Sequence, residues 1–264
     1  MSIKGLEWTF DTVACAYEKL RPGYVDELYR KLFDYVPLNG SSRVVEVGIG
    51  AGQATLPILS TDCKLTAVEL GKHFSELCAE KFKDYPKFSV VTGKFEDIDF
   101  ESSSFDLVYS ASAFHWIPEK TGYEKVFFML KNGGVFARFA NHPYRDKGNP
   151  AMSEEIDRIY DKYYYTYHNR EREILREYDE DQARDRAYIA EKYGFTDIKY
   201  AIFQRTRTFS AEEYSALLGT YSDHIVIDEK IRNEFFSDIE KAISRHGGSI
   251  TIYDTIDLQL ARKP

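Results

Sequence analysis

The residues whose types and spacing most suggest chemistry are Glu46, Gly48, Gly50, Gly52 and Gln53, in the stretch V-V-E-V-G-I-G-A-G-Q at 44–53. Glycines directly after an apolar run let the backbone approach a ligand closely, and a helix starting behind them, here read from Gln53, offers N–H groups. Such a turn commonly holds a nucleotide. The dinucleotide fingerprint G-x-G-x-x-G needs Gly or Ala at position 53. In this chain the third glycine comes one residue early and position 53 is Gln. Glu46 puts a carboxyl beside the turn, which would welcome an ammonium. Glu69, closing the next apolar run, can accept two hydrogen bonds from a ribose diol.

Other residues carry two readings each. His115, in A-F-H-W-I at 113–117, could take a proton from a reacting group or hold its loop beside Trp116. Trp116 reads as a pocket wall or as plain packing. Arg21 could pair with a ligand carboxylate or cap a surface helix, and Tyr17, one turn earlier, shares its fate. Arg138, Arg145 and His142 could face an anionic partner or be ordinary surface charge. Ile156, Tyr160, Tyr163, Tyr164 and Tyr167 fall at helical spacing and line either a packed face or a substrate. Cys15, Cys63 and Cys78 show no C-x-x-C and no metal-like pairing with histidine, so they read as idle thiols in a reducing compartment, with no metal site.

The elements that must position these residues follow from periodicity. Residues 11–36 read as two helices broken at Pro22-Gly23. Short β-branched runs at 43–47, 65–70, 88–92, 105–110 and 135–140 alternate with helical stretches at 53–60, 73–82 and 121–130, the last closed by Asn132-Gly133-Gly134. Strands at 198–203 and 249–260 follow, with helices at 211–218 and 229–246 between them. The rhythm predicts an α/β, doubly wound, mostly parallel seven-stranded sheet with helices on both faces and an inserted helical cap. The expected organisation is a single domain over 1–264: a lid at 8–36, a core at 40–140, a cap at 141–195 and C-terminal elements at 196–264.

Composition excludes several classes. The 264 residues carry 35 basic and 43 acidic side chains, a net charge of −8, which disfavours a nucleic-acid partner. No apolar run approaches the roughly 20 residues of a membrane span. The N-terminus lacks an apolar signal core, so a cytoplasmic location is expected. Oligomeric state is left open.

Taken with Glu69, G-K-F-E-D at 93–97 and S-F-D-L-V at 104–108, the glycine turn resembles that of the class I S-adenosylmethionine-dependent methyltransferases, and the resemblance covers residues 40–140. It implies S-adenosylmethionine as cofactor, with its methionine part at Glu46, Gly48, Gly50, Gly52 and Gln53. Glu69 would take the ribose, Leu70 would flank the adenine, and Phe95 and Glu96 would meet its edge. Ala111, Trp116, Tyr17 and Arg21 complete the implied cofactor set. Lys94 stands where many members carry Asp, and a lysine cannot accept from the adenine amino group.

Y-E-K-L-R-P-G-Y at 17–24, within the motif that starts at Phe10, and A-F-H-W-I are similar to the trans-aconitate-methyltransferase-like small-molecule subgroup. Ser110-Ala111-Ser112-Ala113 lacks the acidic or Asn residue followed by Pro-Pro-aromatic of amino-methylating nucleic-acid enzymes. The expected activity is therefore methyl transfer to a small-molecule acceptor, a carboxylate among the options, with His115 as the catalytic candidate. The alternatives are a catalytically silent cofactor-binding module and a nicotinamide-dependent oxidoreductase.

Overall fold

The computed structural model describes residues 14–264, with side chains from Tyr17 onward. Residues 1–13, which include the stretch read for an export signal, the start of the expected lid and Phe10 of its motif, lie outside the described residues, as does the Cys15 side chain. Among the described residues seven strands form one sheet in the order β3-β2-β1-β4-β5-β7-β6. They are β1 (Arg43–Val47), β2 (Lys64–Glu69), β3 (Phe88–Thr92), β4 (Phe105–Ala111), β5 (Leu130–Tyr144), β6 (Thr196–Ser210) and β7 (Ser249–Arg262). β1 pairs in parallel with β2 and with β4, β2 with β3, and β4 with β5. The chain thus winds outward from β1 through β2 to β3, then returns to β4 on the other side of β1. That reversal leaves a crevice at the carboxyl ends of β1 and β4, where doubly wound sheets bind ligands.

The chain folds into two compact units. The first comprises 22–141, 178–203 and 256–264; the second comprises 142–177 and 204–255 with the residues up to Arg21.

In the first unit, the strands alternate their side chains between two apolar layers. Val44, Leu65, Leu107 and Ala137 pack with Leu28 and Leu32 of α2 (Asp26–Tyr35), Ile58 of α3 (Thr55–Leu59) and Cys78 of α4 (Lys72–Lys81). Val45, Val47, Val108 and Phe136 pack instead with Tyr123, Val126 and Met129 of α5 (Glu119–Met129). Strands buried on both faces in this way read as continuous apolar runs, which is why β1 and β4 are legible. α7 (Glu180–Tyr188) also belongs to this unit.

The second unit contains α1 (Ala14–Leu20), α6 (Pro150–Tyr160), α8 (Ala211–Leu218), α9 (Ser222–Ile225) and α10 (Glu229–Arg245). Its core joins Met152, Ile156 and Ile159 of α6 to Phe235, Ile239 and Ile243 of α10, with Ile250 and Ile252 of β7. Asp254, fully buried, is held by Arg205 and Arg207 of β6, as a buried charge requires.

Four elements differ from the sequence reading. The helix expected from Gln53 begins at Thr55 and runs five residues, because residues 50–54 are spent in the turn itself. Asn132-Gly133-Gly134 does not close a helix. Those residues form a detour inside β5, where the partner of Phe105 is Leu130 and that of Leu107 is Val135, with Gly133 at φ +78. β5, β6 and β7 each outrun their apolar cores, to 15, 15 and 14 residues. No helix among the described residues is long and apolar enough to cross a membrane.

The carboxyl of Glu46 sits inside the first unit. Glu46 is fully buried, and its Oε2 accepts from Tyr109 of β4 at 2.7 Å and from Thr55 of α3 at 2.8 Å. Burial is the main cause that pushes its pKa up to about 8, against the opposing pull of the two hydroxyl donors. The folded chain therefore binds a proton that the unfolded chain releases between about pH 4.5 and 8. Stability from this group is complete below that window and is lost as pH rises through it. At about 1.4 kcal/mol per unit, the loss amounts to a few kcal/mol. Urea unfolding at pH 6 and pH 9 is expected to show the wild type losing stability relative to Glu46→Gln, whose neutral side chain keeps an acceptor for both hydroxyls. Parallel pH slopes for the two proteins would refute a protonated Glu46.

Candidate active site

The turn after β1 is built on positive backbone angles. Gly48, Gly50 and Gly52 have φ of +74, +55 and +77, a region that side chains rarely enter. Gly48 also faces Ala113 across the β1–β4 crevice, and a Cβ added to it would lie 2.3 Å from the Ala113 Cβ. The two strand exits meet there with no room for any residue larger than glycine.

Glu69, the last residue of β2, fixes this turn. Its Oε2 accepts from the Gly50 N–H at 2.8 Å and its Oε1 from the Gly71 N–H at 2.9 Å. Its backbone carbonyl accepts from Gly93 N at 2.8 Å, which ties in the exit of β3. The carboxylate is 8% exposed. Three other amides of the turn are committed as well: Gly48 N and Ile49 N donate to the Val68 carbonyl, and Gly52 N to that of Ile49. A pyrophosphate needs a row of unspent N–H groups, and Gly48, Ile49, Gly50 and Gly52 offer none.

The remaining candidates distribute as follows. Glu46 Oε1 is buried and has no hydrogen-bond partner, as has Gln53 Nε2. Leu70 and Ala111 are half-buried at the ends of β2 and β4. The Phe95 ring is buried in the α5-side layer, so only its backbone can meet a ligand, while Glu96 is half-buried and its carbonyl accepts from Lys125 Nζ at 3.0 Å. Lys94 is exposed. His115 is exposed on a short 3-10 turn, 114–116, with its ring 4.9 Å from that of the half-buried Trp116.

Tyr17 and Arg21 stand in the second unit. There the Arg21 guanidinium donates to the Thr220 hydroxyl and carbonyl at 2.9 and 3.0 Å and lies over the rings of Tyr221 and Tyr17.

In two further groups of candidates most polar groups are already engaged. Arg138 donates to the Tyr123 hydroxyl and lies over the Phe114 and Tyr123 rings, and Arg145 pairs with Asp157 at 2.6 Å, so both cations are already engaged. His142 is half-buried. The tyrosine row is a packed face whose hydroxyls are all bonded: Tyr160 to His224, Tyr163 to Asp238, Tyr164 to Asp223 and Tyr167 to the Val226 carbonyl. Burial alone would raise the Asp223 carboxyl, but the hydrogen bonds from His224 and Tyr164 outweigh it and hold the group below the usual carboxylate range.

Sequence reasoning missed Ser112 and the use made of Tyr24. Ser112, exposed just past β4, has φ +56, and its Oγ pairs with the Tyr24 hydroxyl at 2.8 Å. A serine gives no sequence signal for a left-handed backbone.

Residues 45–137 match the methyltransferase domain family. An uncharacterised methyltransferase of Schizosaccharomyces pombe is 26% identical over 225 residues, covering 84% of this chain and 82% of that protein. The sterol 24-C-methyltransferase of Debaryomyces hansenii is 35% identical over 108 residues, which span 38% of this chain and 28% of that enzyme. Among solved structures, phosphoethanolamine N-methyltransferase 2 of Haemonchus contortus, in complex with phosphomonomethylethanolamine and S-adenosylhomocysteine, is similar in fold with a TM-score of 0.56 at 16% identity. That likeness covers 96% of this chain and 57% of the nematode enzyme. Over the glycine turn and the strands that carry it, the chain is thus similar to methyltransferase domains.

Proposed function

We propose that the first unit holds S-adenosylmethionine over the turn at 48–53 and that the acceptor is a small molecule with a carboxylate nucleophile. Glu69 carries this reading. It sets an acceptor-only carboxylate where a dinucleotide would need unspent amides, and a carboxylate oxygen can accept from more than one donor. A ribose diol suits it, as one would in a dinucleotide too, so the separation from a dinucleotide rests on the spent amides of Gly48, Ile49, Gly50 and Gly52. Leu70 flanks the adenine, and the backbone at Phe95 and Glu96 meets its edge. Gly48 and Gly50 let the amino-acid end approach. Glu46, closed off from solvent, organises the turn through Thr55 and Tyr109 rather than touching the ligand.

Bound there, S-adenosylmethionine supplies a methyl group on a sulfonium, an activated leaving group. The protein's share is then alignment of the nucleophile and exclusion of water. A carboxylate nucleophile is already ionised near neutral pH, so no base is required of the chain. The support for that choice is the similarity of Y-E-K-L-R-P-G-Y and A-F-H-W-I to the trans-aconitate-methyltransferase-like subgroup. The small-molecule class is in keeping with relatives named for sterol and phosphoethanolamine methylation.

Replacing Glu69 with Ala removes charge-assisted hydrogen bonds worth about 1.5–3 kcal/mol each. Titration calorimetry is expected to show S-adenosylhomocysteine binding weakened at least about tenfold, with NAD giving no heat for either protein. Wild-type affinity in the variant would sink the ribose assignment.

His115→Asn separates the acceptor classes. With a carboxylate acceptor, methyl transfer measured with labelled cofactor should fall less than about threefold. For an acceptor that must lose a proton, turnover should drop about 10²–10⁴-fold, and the wild-type rate should rise with pH through the histidine's titration. That second pattern would overturn the carboxylate proposal.

A further inference from the structure

We propose that Cys78, Lys81 and Phe82, which share one face of α4, are positioning residues that set the glycine turn for its cofactor, an inference that rests on the cofactor reading above. They are spaced i, i+3 and i+4, the spacing that aligns side chains on a helix, and they meet three consecutive residues of the turn. Cys78 Sγ donates to the Gly50 carbonyl at 3.1 Å. Lys81 Nζ donates to the Ala51 carbonyl at 2.8 Å. The Phe82 ring lies against Gly52, where an added Cβ would be 2.6 Å from Cε2. Glu69 grips the same segment from β2 through the Gly50 N–H, so both polar groups of Gly50 are held, by different elements.

The physical need for such a clamp lies in the composition of the turn. Three glycines in six residues leave more backbone freedom than any other sequence would. A turn that freezes only when ligand arrives takes that entropy out of the affinity, whereas one fixed beforehand does not. None of the three side chains has to touch the ligand to act. Cys78 is buried and Phe82 nearly so, and Lys81 reaches the turn through its carbonyl.

The test uses the full chain, with S-adenosylhomocysteine as probe in calorimetry and with thermal melting of the ligand-free protein. Lys81→Met is expected to weaken binding about tenfold, near the lower end of what a hydrogen bond to a charged group is worth. The ligand-free Tm should stay within about 2 °C of wild type, as is usual for a substitution at an exposed position. Lys81→Arg, which can still donate to the Ala51 carbonyl, should recover most of the affinity. Cys78→Ala should weaken binding by a smaller factor in the same direction. Lys81→Met binding within twofold of wild type would overturn the clamp. So would a loss of affinity that tracks a fall in the ligand-free Tm and that Lys81→Arg does not restore, since that marks a merely structural contact. Absence of binding by the wild type would overturn the cofactor reading, and the clamp with it.

Discussion

The carboxylate of Glu69 is the constraint from which the rest of the site follows. A nearly buried carboxylate must be matched by donors, and here two of those donors are backbone amides from different turns, Gly50 after β1 and Gly71 after β2. Its own carbonyl takes a third amide, Gly93, after β3. One residue therefore couples the carboxyl ends of three adjacent strands. The glycine at 50 is needed because the backbone must turn left-handed, φ +55, to aim its N–H at that carboxylate. Four amides of the turn, those of Gly48, Ile49, Gly50 and Gly52, are thereby used to hold the turn itself.

Two acids flank the turn, and their surroundings assign them different work. Glu46 lies in the apolar layer under α3, and both burial and the nearby Glu69 charge favour its neutral form. Glu69 stands at the rim of the same crevice with backbone donors on both oxygens. The transferable rule is that paired titratable groups pushed apart by environment divide their roles. A protonated Glu46 can accept from Tyr109 and Thr55 without adding a second negative charge beside Glu69. That arrangement lets the sequence place two acids 23 residues apart, at the ends of β1 and β2, without mutual repulsion at the mouth of the sheet.

The parallel core was legible because strands buried on both faces must be apolar throughout. β1 and β3 agree with the sequence reading at both ends, and the class of ligand was read from glycine spacing, from Glu46 and from the resemblance carried by residues 40–140. What was not legible depends on contacts between distant residues. The β5 detour at Lys131–Gly134 is a register shift against β4, and Asn-Gly-Gly reads locally as a helix stop. The long strand β6 continues through half-exposed and exposed polar residues, so its apolar run understates it, whereas β7 exceeds the expected strand only by Ala261 and Arg262. The start of α3 at Thr55 reflects the Glu46 hydrogen bond, which no local propensity encodes. The C-x-x-K-F face of α4 is invisible in the sequence for the same reason, since it consists of donors aimed at carbonyls of another element.

Acceptor choice is constrained by which polar groups are already committed. The tyrosine hydroxyls of α6 and the turn that follows it are bonded, and Arg138 and Arg145 have partners. In the first unit, Ser112 and His115 are exposed past the exit of β4. Ser112 holds φ +56 there, a backbone state that costs a non-glycine residue on the order of 1 kcal/mol or more. It is held by its Phe139 backbone bond and its Tyr24 hydroxyl. That strained corner turns the chain so that Ala113 closes on Gly48 and the next residues form the 3-10 turn bearing His115 and Trp116. The corner at Ser112 joins the glycine turn to the short segment bearing His115 and Trp116.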